Sequence, residues 1–320
     1  MSKNIRKKSQ LSAIRKAVSK TSNKARTTNK NKKTANNIAI LLLLLVVFML
    51  YSHFSNKKTS FPADDTLSVC YLDVGQGDSA FITADNINML IDCGESDDTD
   101  SVISYLQNKG IDRIDYVVGT HPHSDHMGGM SKIIDSFDIG EVIVPHLDDG
   151  DFPTSRYYER FLDSCDAKGI SPTEAKAGRI IEIGDARAEI IAPISAKYGN
   201  INNYSIGIYL NHGENSFMFS GDAEKEAEKE MVLSGSLGHA DVYKVGHHGS
   251  NTSSSKDFLD IIKPDYAVIS CGAENSYGHP HREVMDRLLK YTQNIYRTDL
   301  HGNIIFESDG KDLKVSTEEN

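Results

Sequence analysis

From residue 67 onward the apolar positions fall into short runs that end in glycine, aspartate or proline. LSVCYLDV, NMLIDCG, IDYVVGT, EVIVP, AEIIAP, YSIGIYL, SFMFSGD, DVYKVG, YAVISCG and GNIIFES all read as strands. Between them, apolar residues recur at helical spacing over residues 101–109, 127–137, 155–168, 223–233 and 282–291. Gly110 closes the first of these as a C-terminal cap. Many short strands with interspersed amphipathic helices imply sheets covered by helices, an α/β or α+β layered domain.

The pattern before residue 67 is different. Ile38 to Tyr51, IAILLLLLVVFMLY, is an unbroken apolar run of 14 residues. That is short of the roughly 20 residues of a spanning helix, but Ser52, His53 and Phe54 extend it. No A-x-A pattern follows it and the basic segment before it is long, so it reads as a retained signal anchor over 38–54 rather than a cleaved signal peptide. Twelve Lys and Arg precede the run, while only Lys57 and Lys58 follow closely. The positive-inside rule then keeps the tail 1–37 in the cytoplasm and places the rest outside, a single-pass arrangement. The tail is polar, aromatic-free and expected to be disordered, with anionic lipid head groups as its partner. Residues 55–66 form a linker, and 67–318 the folded domain.

Charge sharpens this division. Residues 1–63 carry 14 bases and no acid, whereas 64–320 carry 21 bases and all 45 acids, a balance of −24. A domain so acidic does not bind a polyanion through its surface as a whole. Cys70, Cys93, Cys165 and Cys271 show no C-x-x-C spacing. A Cys70–Cys93 disulfide is conceivable outside the cell, but apolar surroundings favour buried free thiols. Nothing in the chain points to a protein partner.

The chemistry gathers in THPHSDHMGG, after the strand IDYVVGT. Residues two apart in extended backbone point the same way, so His121 and His123 can converge on one ion. Asp125 and His126 lie where the chain turns into a helix and can serve a second. Imidazole nitrogens with a carboxylate suit zinc, and manganese or iron less selectively. Gly128 and Gly129 are expected to let the helix approach the sheet closely.

H-x-H-x-D-H after a hydrophobic strand resembles the metallo-β-lactamase fold hydrolases, whose αββα sandwich holds one or two metals at its strand ends. LDVGQGDS, LIDCG, NNYSIGIYL, FSGDAEKEAE, YKVGHHGS and YGHPH, in this order, resemble the extracellular hydrolase domain of the ComEC competence proteins. The resemblance implies His121 and His123 as ligands of the first metal and Asp125 and His126 as ligands of the second. It makes Asp222 the bridging carboxylate and His247 the last histidine, with His248 able to exchange roles. Asp92 is implied behind a metal-facing imidazole, and Gln76 and Asp78 on a turn near the metal. His279 is implied on a loop facing the metals, touching a phosphate or protonating a leaving group, with His281 as a helix cap. Asn203 stands where the wider fold has a third histidine, which implies a weaker first site.

The reaction so implied is hydrolysis by a metal-held hydroxide, with Zn2+ or Mn2+ in one or two sites. ComEC resemblance implies phosphodiester cleavage of DNA outside the membrane. Phosphodiester-linked groups on cell-wall polymers, of the phosphorylcholine type, and lactones, thioesters or β-lactams are alternatives. A tethered binding module without turnover ranks last, because the ligand set is complete.

Overall fold

Period-two alternation in the strands explains how the layers stack. In Leu67–Tyr71 (β1), Leu67, Val69 and Tyr71 face one core while Cys70 faces another. The computed structural model describes residues 66–148 and 150–318. The basic tail, the apolar run and the linker up to residue 65 lie outside the described residues. Among those described, no helix is long and apolar enough to cross a membrane.

β1 shares an eight-stranded sheet with Ala80–Ala84 (β2), Ile87–Ile91 (β3), Arg113–Val118 (β4), Asp138–Val144 (β5) and Thr173–Glu174 (β6). The seven-stranded second sheet holds Ile180–Ile183 (β7), Ala186–Ala192 (β8), Gly207–His212 (β9), Asn215–Phe219 (β10), Val242–Lys244 (β11), Tyr266–Ile269 (β12) and Asn294–Arg297 (β13). Asn303–Ser308 (β14) and Leu313–Glu318 (β15) return to the first sheet, whose order is β15-β14-β1-β2-β3-β4-β5-β6. The second runs β13-β12-β11-β10-β9-β8-β7.

Three cores follow. Between the sheets, Phe306 packs edge-on against Tyr71, Phe217 and Tyr266. Truncating it to alanine is expected to cost about 3–5 kcal/mol. On the outer face of the first sheet, Cys70, Phe81 and Val117 pack against Thr99–Asn108 (α1), Met130–Ser136 and Arg156–Lys168. On the outer face of the second, Met218, Tyr243 and Ile269 pack against Lys225–Ser234, Lys256–Ile262 and Arg282–Leu288. This is an αββα sandwich.

Three expectations change. The helix expected over 127–137 is two helices, Ser124–Met127 (α2) and Met130–Ser136 (α3), because the chain kinks at Gly128 and Gly129. Those glycines approach α1 and the loop before it rather than the sheet: a Cβ on Gly129 would lie 1.5 Å from Thr99 Oγ1, and one on Gly128 2.9 Å from Ser96 N. Strands β2, β6, β7, β13 and β15 escaped the apolar pattern, several being short or half-exposed edge strands. The four cysteines are buried free thiols, as their apolar surroundings imply. Cys70 belongs to β1 and Cys93 follows β3, with β2 between, a separation of two strand spacings or roughly 9–10 Å that no disulfide spans.

Candidate metal centre

Strands β3 and β4 run parallel, as do β10, β11 and β12, and all five end at one edge of the sandwich. The carboxyl ends of parallel strands are where open α/β sheets present ligands. Asp92 follows β3, His121 and His123 follow β4, Asp222 follows β10, His247 and His248 follow β11, and His279 follows β12.

Local geometry assembles the first group. His123 is the N-cap of α2, so Asp125 and His126 sit in its first turn while His121 and His123 remain in the extended loop before it. The LDVGQGDS turn docks directly on this helix, with Asp78 N–H donating to Asp125 O at 3.0 Å. Gly77 is required there, since a Cβ would come within 2.5 Å of that same carbonyl. Tyr157 OH donates to Pro122 O and fixes the loop from the other side.

His121, His123 and Asp222 offer donor atoms within 4.8 Å of one another, and so do Asp125, His126 and His248. Asp222 joins the two: its Oδ2 lies 3.8 Å from His121 Nε2 and 3.7 Å from His248 Nε2, and its Oδ1 lies 3.2 Å from His126 Nε2. His248, the exchangeable neighbour in the sequence reading, is therefore the ring beside Asp125, with Nε2 at 3.3 Å from Oδ2. His247 Nε2 stands 3.5 Å from Asp222 Oδ2, and its Nδ1 meets Thr252 Oγ1 at 3.0 Å. Both histidines have left-handed backbone, φ 50° and 53°, an uncommon state that lets two adjacent rings approach Asp222, with His248 buried and His247 nearer the surface.

Behind the cluster, Asp92 holds His126. It takes His126 Nδ1–H at 2.7 Å, and Thr120 N–H and Oγ1–H at 2.8 and 2.7 Å. Its own φ is +58°, an uncommon backbone state that aspartate tolerates better than most residues. Behind His248, the Nδ1–H donates to Ser270 O at 3.1 Å, and the Asp78 carboxylate adds negative charge with Oδ1 3.2 Å from that nitrogen and pairs in turn with the buried Lys244 Nζ at 2.8 Å.

Charge and hydrogen bonding together test whether a cation fits. Burial alone would lower the His126 imidazole, but Asp222, Asp92 and Asp125 outweigh it and hold it well above the histidine range. Burial likewise opposes the charge on His248, and Asp222 and Asp78 push it up to about 10. His121 is held well below its ordinary value, first by burial and then by His126. Burial disfavours the Asp222 carboxylate, and His126, His248 and His121 overcome it. The carboxylates thus draw positive charge onto buried rings. Yet His126 Nε2, His248 Nε2 and Asp222 Oδ1 are buried and make no hydrogen bond. Bare nitrogen and oxygen donors converging around that demand fit a divalent cation, with protons as its competitors.

A cleft of about 320 Å³ opens above the cluster, within the usual range of ligand sites. Gln76, Tyr157, Tyr277 and His279 contribute walls, and Asp125, Asp222 and the histidines contribute the floor. His279 is lowered to about 4 by burial and by His248 and His247 beside it. Two expected residues lie elsewhere. Asn203 Oδ1 accepts Glu224 N–H at 2.9 Å and its Nδ2 donates to Glu226 at 3.1 Å, so its amide fastens the turn after Asp222. His281 is the N-cap residue of Arg282–Leu288, but its ring makes no cap bond and instead accepts Asn251 N–H. Sequence reasoning missed Lys244, although a lysine inside the apolar run DVYKVG is a signal, since a buried ammonium needs a partner. Thr120, Ser205 and Tyr157 gave no such signal.

A sequence profile of the Metallo-beta-lactamase superfamily matches residues 72–273, which include His121, Asp222 and His248. This chain belongs to the metallo-β-lactamase superfamily. ComE operon protein 3 of Bacillus subtilis is 30% identical over 251 residues, covering 73% of this chain and 32% of that protein. Recombination protein 2 of Haemophilus influenzae is 31% identical over 269 residues, covering 82% and 31%. Both are ComEC-type competence proteins, and the chain spans about a third of their length. Among solved structures, the metallo-β-lactamase fold protein YhfI of Bacillus subtilis matches at a TM-score of 0.53 with 9% identity, covering 77% of this chain and all of YhfI. That likeness shows the shared fold. As a superfamily member with convergent metal-type donors, the chain is a metal-dependent hydrolase by class.

Proposed function

We propose that this hydrolase is a phosphodiesterase of ComEC type, anchored by the apolar run Ile38–Tyr51 with its site outside the membrane. The observation that carries it is the convergence of His121, His123, Asp125, His126, Asp222 and His248 into two adjoining donor groups at the base of one cleft, which His123, Asp125, Asp222 and His248 line, in a relative of competence proteins. His121, His123 and Asp222 would hold one ion, and Asp125, His126, His248 and the shared Asp222 a second. Zinc or manganese ions held there supply acidified water and neutralise charge developing on phosphoryl oxygens. The chain's own groups prepare that chemistry. Asp92 takes the Nδ1 proton of His126 and the Ser270 carbonyl takes that of His248, which leaves each Nε2 directed at the centre. His279 lies at the cleft wall with an unpartnered, buried Nδ1 and offers its ring to a phosphate oxygen or leaving group.

The cleft walls contain no lysine or arginine among the described residues, and the domain carries −24. Attraction for phosphate therefore centres on the ions rather than on a basic track, which favours a single strand crossing the site over a duplex gripped along its backbone. The same observation admits a second reading, a lone phosphodiester on a cell-wall polymer.

The test is the full chain in detergent with zinc or manganese, offered single-stranded DNA, double-stranded DNA, a phosphorylcholine ester and a lactone. Chelator-sensitive cleavage of single-stranded DNA is expected. Hydrolysis of the lactone alone would overturn the phosphodiesterase reading.

A further inference from the structure

One large side chain is displayed where solvent meets the site. Tyr277 is 64% exposed although it lines the cleft. Its ring stacks on His279 at 5.6 Å and 20°, and His279 stacks on His248 at 6.2 Å and 26°. Three nearly parallel rings thus step from the rim to the Asp125–His248 group. The loop that carries them is pinned: Asn275 accepts the His279 N–H, its amide donates to the carbonyls of Gly272 and His279, and Gln76 accepts the Gly272 N–H. An exposed aromatic held in place by its own loop is a preformed contact, since little ordering remains when something settles on it.

Resting on the phosphodiesterase reading, we infer that Tyr277 is a stacking platform for a nucleobase beside the scissile phosphodiester, so that the substrate is a nucleic acid strand with unpaired bases. One face of Tyr277 is already covered by His279, which leaves a single open face parallel to the ring series. That suits a planar ring better than a quaternary ammonium, which is enclosed by several aromatic faces. With no lysine or arginine lining the cleft among the described residues, base stacking also provides affinity that phosphate contacts do not.

The chain has no tryptophan, so Tyr277→Trp places one reporter at the platform. With the full chain in detergent, oligothymidylate should quench that indole, while an abasic oligomer of equal length and phosphorylcholine should not. Oligothymidylate should be cleaved with a kcat/KM roughly tenfold above the abasic oligomer, the scale of one stacked base. Tyr277→Ala should bring that ratio close to one, and Tyr277→Phe should preserve it. Quenching by phosphorylcholine alone, or an unchanged ratio in Tyr277→Ala, would overturn the platform. Quenching by oligothymidylate without cleavage of either oligomer would support the platform and remove the phosphodiesterase reading.

Discussion

His121, His123, Asp125 and His126 reach the centre within six consecutive residues after one strand, whereas Asp222, His247 and His248 arrive from two separate strand ends of the other sheet. The two halves are also supported differently. Behind His126, Asp92 is satisfied by a neutral neighbour, Thr120, through its backbone and hydroxyl. Behind His248, Asp78 is paired with a buried ammonium, Lys244. A contiguous half can be set by local backbone geometry, while a dispersed half needs charge buried under it to keep its parts in place. Asp222 is the residue on which both halves depend.

Removing that shared carboxylate should have the largest effect. Asp222→Ala is expected to abolish phosphodiester hydrolysis by more than the roughly 100-fold that bounds losses from outer groups, and to weaken binding at both sites when zinc is supplied in excess. Asp125→Ala should instead deplete one ion and leave His121, His123 and Asp222 able to keep the other. Metal content measured at equilibrium with excess zinc, beside rate measurements, separates the two variants. Near-native metal content in Asp222→Ala would show that the halves do not share it.

The supports should then separate by what they control. Lys244→Met leaves the Asp78 carboxylate buried without its cation, so unfolding by urea should show a loss of about 3–5 kcal/mol. Lys244→Met/Asp78→Asn should recover most of it, because the uncompensated charge is gone. Asp92→Asn keeps a neutral acceptor beside Thr120 and should change stability little, yet lower metal affinity by about 10–100-fold through a misaligned His126. Equal losses of stability in Lys244→Met and Asp92→Asn would erase the proposed difference between the halves.

The same contrast governs what the sequence made legible. H-x-H-x-D-H announces itself because spacing alone brings its donors together, and the strands around it show in their period-two pattern. Asp222 could be placed at a strand end, but its contacts to His121, His126 and His248 exist only once the sheets pack. Choosing between His247 and His248 was beyond spacing, since two adjacent left-handed residues decide which ring turns inward. Lys244 reads as an oddity in an apolar strand until Asp78, 166 residues away, meets it. Edge strands such as β6 and β15 bury too little to mark the chain with a pattern.

Asn203 gives the finest test. Its position resembles that of a third histidine in the wider fold, and from sequence alone Asn203→His would be expected to strengthen the first site. The structure assigns its amide to Glu224 N–H and Glu226, on the turn that carries Asp222. A histidine there would lose that fitted pair of bonds, at a cost of about 1–3 kcal/mol for the buried groups left unsatisfied. The first cluster would still have His121, His123 and Asp222, against Asp125, His126, His248 and Asp222 in the second. We therefore expect the parent chain to retain close to one tightly held ion after dialysis, and Asn203→His to retain the same number while unfolding at lower urea. Metal content rising towards two in Asn203→His would show that position 203 can reach the ion after all, and that the two halves differ less than their wiring suggests.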